Sequence, residues 1–497
     1  MVKSLLTLLT ATISTTVWAQ TPVATPSTST KKTITLNQKS VAELVLKQGY
    51  KTKEVNLEFQ RYRLDPIKVL ANYDWKALIE SGFEKDKQAS LLTGTSQSIA
   101  TYDRYQTKAS LTKPFTTGTI LGLELSRLSQ KVEFDTLPAQ VPPTEQTLDV
   151  AGITLEQSLL GNFFGVADRG IVNAAELSYK ASEITRADQL EDAVLQALRQ
   201  FWDSYVAQES FREAVNSRDR YQKLVDAVKR KTSLGYSNPG DLPQVQAEFE
   251  TREQKVKTTS LDYLKNTENL LTMLALDSNT EIRFEIPTEI PPVPKLPAKN
   301  VEDLRAIRSQ KLRVEAAAES LKAANSNSYP TLNFVGRAYT SGVDETAEGS
   351  FSDLSSGNRP KYYVGLKFQY NFGSGLQEET IINNRLNRDL QSSILSRQLQ
   401  ENADIETQTE RRVQSLYAIT LSSLRQKQFR EKASQELNRS YAQGRTDISI
   451  LITAMNNFFD SEVLYLRALG DYAIALNEWA SVRDELIPDD APNMEYK

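Results

Sequence analysis

Two segments of the chain carry the apolar spacing of very long α-helices, predicted over 168–233 and 376–443. Apolar side chains there recur at intervals of three and four residues, which places them on one face of a helix. At a rise of ~1.5 Å per residue, each helix is about 100 Å long. The stripe on the first helix consists of Leu190, Val194, Leu198, Phe201 and Tyr205.

A shorter helix returns along each long one, predicted over 242–276 and 446–486. The turns before them contain Gly235 and Gly444, and glycine readily adopts the left-handed conformation that ends many helices. Spacings of four and three along the last helix are typical of a coiled coil, with Glu462 as its single polar member. The apolar members are Leu451, Met455, Phe458, Tyr465, Leu469, Tyr472, Leu476 and Trp479.

Two blocks, 72–158 and 330–373, alternate apolar and polar residues with a period of two, as strands with one apolar face do. Polar loops are predicted within them over 85–101 and 342–359. A β-sandwich would produce the same alternation as a transmembrane barrel. The alternating apolar positions include Tyr73, Trp75, Ala77, Ile79, Phe83, Leu121, Leu123, Leu125, Ile153, Leu155, Leu366, Phe368, Tyr370 and Phe372.

The order helix, strands, long helix, glycine turn and returning helix occurs twice, which predicts structural repeats over 38–286 and 300–487. A proline-rich linker, 287–299, joins the repeats, and a tail, 488–497, follows the second. Because the repeats share one order of elements, both β blocks are expected at the same end of the helical array.

The first helix of each repeat opens on a capping residue, Ser40 or Asn300, with an acidic residue three positions later. Proline disfavours helical geometry in the residue before it, so the first of these helices is expected to end near Pro66. The second is predicted over 300–328.

The composition excludes several kinds of chemistry. The 497 residues include no cysteine and no histidine, so the usual zinc sites, cysteine nucleophiles and histidine acid–base catalysis are unavailable. The net charge of −4 offers no basic patch for nucleic acid. Phosphate-binding glycine loops and nucleophile motifs are also lacking. We therefore predict no cofactor, no metal and no enzymatic activity.

Residues 1–19 are predicted to be a secretory signal peptide, with Lys3 before an apolar stretch and a cleavage site after Ala19. The next segment, 20–37, is rich in threonine, serine and proline and is predicted to be flexible. No later segment approaches the ~18 consecutive apolar residues of a transmembrane helix. The chain is therefore expected to be exported, and any membrane contact is left to its strands.

The strands of one chain are too few to enclose an aqueous lumen, which takes roughly 16 strands in porins. Open sheet edges are not tolerated in a bilayer. If these strands enter a membrane, several copies must close one shared barrel. The predicted fold class is an α+β membrane protein, an oligomeric transmembrane β-barrel continued by a long α-helical coiled-coil tunnel.

The doubled order of elements resembles the TolC family of outer-membrane efflux proteins over about 41–486. The sequences VKRKTSLG at 228–235 and RSYAQG at 439–444 are similar to the family's two periplasmic turns. FWDSY at 201–205 and YNFGSG at 370–375 also lie where the family places similar residues.

The resemblance implies a homotrimer in outer-membrane lipid, with four strands per copy in a barrel of twelve and a tunnel reaching into the periplasm. It further implies docking of a periplasmic adaptor (a membrane fusion protein) and an inner-membrane pump or ABC transporter. The cargo would be small molecules in drug or metal efflux, or polypeptides in type I secretion, moved through a passive conduit.

The resemblance places a gate at the two turns. Asp241 matches an acidic position that bonds, in relatives, to a tyrosine and an arginine of the neighbouring turn. Tyr441 matches that tyrosine, and Arg445 lies one position from the expected arginine. Alternatively, Asp241 caps the returning helix. Ile450 and Thr453 occupy positions where some relatives carry a ring of aspartates, so an acidic cation-binding ring is not expected.

The first β block contains a hairpin beyond the family's pattern, 105–113 and 119–131, joined by the turn 114–118. If all strands span the membrane, a trimer has about eighteen, and if the hairpin lies outside, twelve remain. Twelve is favoured on the family resemblance. Candidates for aromatic girdles at the membrane interface are Tyr73, Trp75, Tyr362 and Tyr363.

Two functions fit these patterns. A channel explains the helices, the export signal and the two β blocks at one end of the helical array. The alternative is a periplasmic coiled-coil scaffold or adaptor without a pore. It explains the helices and the export signal, but not the amphipathic strands.

Overall fold

Four helices set the length of the molecule. The computed structural model describes residues 33–92, 96–134, 144–287, 289–373 and 375–488, so the predicted signal peptide lies outside the described residues. The helices α3 (Val166–Ser233) and α7 (Gly375–Ala442) each have 68 residues, and each is followed by a returning helix, α4 (Asp241–Met273) or α8 (Ile448–Val482). At ~1.5 Å per residue the long helices measure about 100 Å.

The first helical segment differs from the prediction at both ends and in the middle. It consists of α1 (Gln38–Gln48) and α2 (Tyr50–Ala71), separated at Gly49, whose backbone is extended. Asn37, rather than Ser40, is the N-cap of α1, and the two side chains form a reciprocal capping box. Pro66 lies inside α2. Proline removes one amide donor from the helix, but its ring holds φ near the helical value, so the helix continues past it.

The helix predicted over 300–328 begins five residues late. Asn300 caps a short 3-10 turn, Val301–Asp303, and the extended Leu304 separates this turn from α5 (Arg305–Asn327). The helices α2, α3, α5 and α7 lie side by side in that order as one layer. Within the described part of the chain, no helix combines the length and apolarity needed to cross a bilayer.

Six strands form one antiparallel sheet at one end of the helical layer. They are β2 (Lys76–Leu92), β3 (Ser96–Pro114), β4 (Thr119–Phe134), β5 (Thr144–Ser158), β7 (Thr331–Asp344) and β8 (Pro360–Gln369). Each strand pairs with the next, so β2 and β8 are the edges. The chain enters the sheet from α2 and α5 and leaves it into α3 and α7.

Both predicted polar loops are structured. Residues 85–92 and 96–101 extend β2 and β3 as far as the pair Leu92↔Ser96, because ladder hydrogen bonds do not require apolar side chains. The second loop contains α6 (Ala347–Ser356). The hairpin predicted as an addition, β3–β4, lies inside the sheet between β2 and β5.

The start of the described chain is not flexible. β1 (Thr33–Leu36) pairs in parallel with β6 (Glu281–Phe284), which corrects the predicted flexible segment 20–37 at its end. Leu36 and Ile282 are buried in the largest apolar cluster, with Phe201 and Trp202 of α3. The strand gains its stability from this long-range packing, which no local pattern reveals.

Candidate functional site: the sheet faces and the helix tips

One face of the sheet is apolar and exposed. Residues directly opposite one another in antiparallel strands point to the same face. The row Ala77↔Leu111↔Leu123↔Ile153↔Ala338↔Tyr362 therefore crosses all six strands on one side. Large exposed side chains of this face are Ile79, Leu123, Leu125, Ile153, Leu155, Tyr362, Val364, Leu366 and Phe368.

The opposite face carries charges of both signs. Lys108 on β3 lies 3.1 Å from Glu124 on β4, and Arg104 lies 3.5 Å from Glu84 on β2. Single exposed apolar residues are common in proteins, but a continuous apolar face six strands wide is not left in water. The other charged residues on this face include Lys76, Glu80, Arg337, Lys361 and Lys367.

An ion pair covered by α6 marks the limit of the apolar face at the end of the sheet that lies away from the long helices. Arg127 on β4 binds Asp149 on β5 through two bonds of 2.8 and 2.9 Å. The buried Ser350 of α6 accepts a bond from the Asp149 amide and donates to the carbonyl of Gly342. A Cβ on Gly342 would lie 2.0 Å from the Ser350 carbonyl oxygen, so glycine permits this close approach.

The four candidate girdle aromatics have different surroundings. The Tyr73 hydroxyl donates to Asp168 at 3.1 Å, and burial beside this carboxylate raises the pKa of Tyr73 to about 12. Trp75 is half-exposed just before β2. Tyr362 lies on the apolar face, whereas the next residue, Tyr363, lies on the polar face with its ring 5.6 Å from the Arg337 guanidinium.

The two glycine turns have the same geometry. Gly235 and Gly444 have φ of 77° and 71°. The amides of Tyr236 and Arg445 bond back to the carbonyls of Lys231 and Ser440, as in a Schellman motif. The predicted glycine positions are therefore the two reversal points at the far end of the helices.

Around these turns the gate candidates do not bond to one another within one copy. The Asp241 carboxylate accepts bonds from Ser237 Oγ at 2.9 Å and from the Asn238 amide at 3.0 Å, so it stabilises its own turn. Arg445 is exposed. Tyr441 is buried, and burial, with Asp241 and Asp447 nearby, raises the pKa of Tyr441.

Lys231 is the residue that joins the two turns. Its Nζ donates to the Tyr441 carbonyl at 2.8 Å and lies 4.0 Å from the centre of the Tyr441 ring. Sequence reasoning missed this residue, although a lysine in the last turn of a helix is favourably placed near free carbonyls.

Comparison with solved structures identifies the fold. No protein-family model and no curated protein sequence matches the chain. The CusC channel is similar at a TM-score of 0.68, with 13% identity over 91% of this chain and 93% of CusC. Campylobacter jejuni CmeC gives 0.69 with 12% identity, covering 91% and 86%. Neisseria gonorrhoeae MtrE gives 0.63 with 14% identity, covering 90% and 89%.

The chain has the fold of the outer-membrane channel proteins. The TolC-like resemblance read from the order of elements is thus confirmed at the level of the fold. In this outer-membrane channel fold, the sheet and the glycine turns lie at opposite ends of helices about 100 Å long.

A buried polar cluster ties the two tip hairpins of the channel fold together. Arg252 of α4 bonds Asn456 of α8 at 2.6 Å and stacks between the rings of Tyr221 and Phe459. The Tyr221 hydroxyl of α3 donates to the same Asn456 oxygen at 2.5 Å. These contacts join α3, α4 and α8 about three to five turns from the glycine reversals.

A second cross-link of the channel fold lies further along the same helices. Arg220 of α3 bonds Glu462 of α8 at 2.8 Å, which satisfies the single polar member of the predicted coiled-coil strip. Burial raises the pKa of Glu462 to about 7, although Arg220 acts in the opposite direction.

Replacing Gly444 by alanine is expected to destabilise the second turn by about 1–2 kcal/mol, because a Cβ strains a left-handed residue. No heavy atom lies within 4 Å of the added carbon, so the effect is conformational rather than steric. Hydrogen exchange of the turn amides should become faster. Gly240→Ala is the control, since Gly240 has φ of −87° and equal space. Equal exchange in both variants would contradict the prediction.

Proposed function

We propose that this chain is the outer-membrane channel of an export system and acts as a passive conduit. The observation that carries the proposal is the single sheet with one exposed apolar face and one charged face, attached to helices about 100 Å long. A lipid-facing surface and a water-facing surface on alternate residues are what a transmembrane barrel requires.

Closure of the sheet requires further copies of the chain. The edges β2 and β8 leave rows of backbone groups unpaired within one copy, and a bilayer does not tolerate such edges. The two edge strands run in opposite directions, so β8 of one copy can pair in antiparallel fashion with β2 of the next. All six strands have at least the ~9–11 residues that a transmembrane strand needs. The TolC-like resemblance supports three copies.

At the glycine turns we place the docking of a periplasmic adaptor and, through it, an inner-membrane pump or ABC transporter. The similarity to CusC, CmeC and MtrE, described as outer-membrane or transmembrane channels, supports a channel. Efflux of small molecules is the cargo that the TolC-like resemblance suggests. Export of polypeptides by type I secretion fits the same conduit. Energy is supplied by the partners, and the channel itself needs neither cofactor nor catalytic residue.

Fractionation and reconstitution test this function. The mature protein is expected to sediment with outer membranes, to require detergent for extraction, and to form ion-conducting pores in planar bilayers. A periplasmic scaffold or adaptor would instead be released by osmotic shock. A soluble protein without conductance would contradict the proposed channel.

The gate is proposed to close through contacts between neighbouring turns, with Asp241 of one copy accepting from Tyr441 and Arg445 of the next. Within a copy, Lys231 holds the two tip hairpins together. Exposed links of this kind are each worth about 0–1 kcal/mol. Adaptor docking can therefore break several of them without unfolding the tip.

Lys231→Ala is expected to shift the channel toward the open state by up to about fivefold, the equivalent of ~1 kcal/mol. Single-channel recording measures this shift as open probability or unitary conductance. Lys229→Ala removes an equal charge from an exposed position two residues away and should leave the recording unchanged. Unaltered recordings for Lys231→Ala, Asp241→Ala and Arg445→Ala together would refute the gate.

A further inference from the structure

We propose that three copies close an eighteen-stranded barrel, and that the conduit crosses the membrane without narrowing. The inference rests on the proposed channel function and departs from the twelve strands expected by resemblance. It starts from the sheet of each copy, which has six strands in the order β2-β3-β4-β5-β7-β8.

The β3–β4 hairpin is an integral part of this sheet. β3 pairs with β2 from Lys76↔Thr112 onward, and β4 pairs with β5 from Thr119↔Gln157 onward. β2 and β5 therefore never meet. A hairpin outside the membrane would require β2 to pair with β5 directly, and every ladder between them would have to be broken.

The hairpin also carries the same two surfaces as the other strands. On the apolar face, Leu111 of β3 and Leu123 of β4 lie in one row with Ile153 of β5. On the other face, Lys108 and Glu124 form an ion pair. A hairpin exposed to water on both faces would not need this division, whereas a membrane-spanning one does.

The width of the helical layer can be compared with the width of the sheet. Four helices, α2, α3, α5 and α7, lie side by side in each copy. At about 8–10 Å between axes they cover about 32–40 Å of the circumference. Six strands spaced about 4.8 Å apart and tilted by about 35–45° cover about 35–41 Å, whereas four strands cover only about 23–27 Å. A sheet of six strands is therefore wide enough to join this helical layer without narrowing.

The number of strands sets the size of the pore. Three sheets of that width enclose a backbone circle of about 36 Å in diameter, against about 24 Å for twelve strands, so the cross-section is roughly doubled. The polar face carries residues of both signs, and two ion pairs lie on it, Lys108 with Glu124 and Arg104 with Glu84. The conduit is thus suited to wide hydrated cargo.

The first test removes the hairpin. Residues 93–143 are deleted, so that β2 runs directly into β5 through a short polar linker. The full-length chain, with eighteen strands per trimer, is expected to conduct only about 1.2 times as well as this twelve-strand variant, because the unchanged ~100 Å helical tunnel lies in series with the ~30 Å barrel. It should also admit larger polyethylene glycols, which serve as uncharged probes of pore width. An equal cut-off for polymers added on the barrel side of the two proteins would overturn the inference.

A second test does not depend on the folding of a deletion variant. The chain has no native cysteine, so introduced pairs report pairing without background. Ile79→Cys with Ala109→Cys joins direct partners on β2 and β3 and should form a disulfide in the membrane-inserted protein. Ile79→Cys with Ala151→Cys on β5 should not, because three strand spacings, about 14 Å, exceed the reach of a disulfide.

The outcomes separate the inference from the function on which it rests. A disulfide between positions 79 and 151 in a conducting protein would refute the wide barrel and leave the channel intact. Absence of conductance in the full-length protein would refute the channel itself. Conductance with the 79–109 disulfide and the hairpin-dependent polymer cut-off would support both.

Discussion

Leu111→Lys is expected to abolish assembly of the sheet in the outer membrane, whereas Ser110→Lys is expected to leave assembly intact. The two residues are neighbours on β3 and point to opposite faces. Lysine on a lipid-facing position costs up to about 2–4 kcal/mol, depending on its depth in the bilayer, and the cost recurs in every copy of the oligomer. On the charged face, a lysine at position 110 lies in the same row as Glu124 and remains hydrated.

This effect is measured on outer-membrane fractions that are run unheated on a denaturing gel. Assembled oligomers migrate there as a separate band. Both positions are only partly buried in one copy, so a water-soluble scaffold would tolerate lysine at either one. Equal amounts of assembled oligomer in the two variants would therefore contradict a lipid-facing role for the apolar face.

Arg305→Met is expected to destabilise the helical layer by about 3–5 kcal/mol, because it leaves the buried Glu191 carboxylate without its partner. Both side chains are 2% exposed. Arg305 Nη1 donates to Glu191, and Nη2 donates to the Ile487 carbonyl at 2.7 Å. The second Glu191 oxygen accepts from the Leu486 amide at 3.1 Å, so the pair fixes the segment after α8 against α3 and α5.

The loss should lower the midpoint of helix unfolding, followed by circular dichroism in detergent. The double variant Glu191→Leu/Arg305→Met removes both charges and should recover most of the lost stability. Burial already raises the pKa of Glu191 to about 7, and Arg305 opposes this shift. In the single variant the folded pKa lies higher still, so stability should increase as the pH falls from 9 to 6. An unchanged midpoint for the single variant, or a double variant as unstable as the single, would contradict the role of the pair.

Much of the helical structure could be predicted because its signals are local. The bounds predicted for the long helices, 168–233 and 376–443, agree with α3 and α7 to within two residues. A 3.6-residue period sustained over many turns has no alternative interpretation, and the glycine turns supply a sharp end. The first helix was predicted less well, because capping by Asn37 and the break at Gly49 depend on single residues.

The strands of the sheet were predicted only where apolar and polar residues alternate. Residues 85–92 and 96–101 are mostly polar, and their pairing comes from the neighbouring strand rather than from a pattern of their own. The same reason hid β1, which pairs with a segment about 250 residues away in sequence. At the tips, the sequence indicated Gly235 and Gly444 correctly, but the link from Lys231 to Tyr441 joins two hairpins that only folding brings together.

The sequence by itself determined the period of each element and the identity of the exposed faces, since both depend on residues close together in the chain. Tertiary structure alone decided which elements are neighbours. It placed β3 and β4 inside the sheet and buried Arg305 against Glu191. These outcomes depend on hydrogen bonds and packing between segments far apart in sequence, whose free energies no local pattern encodes.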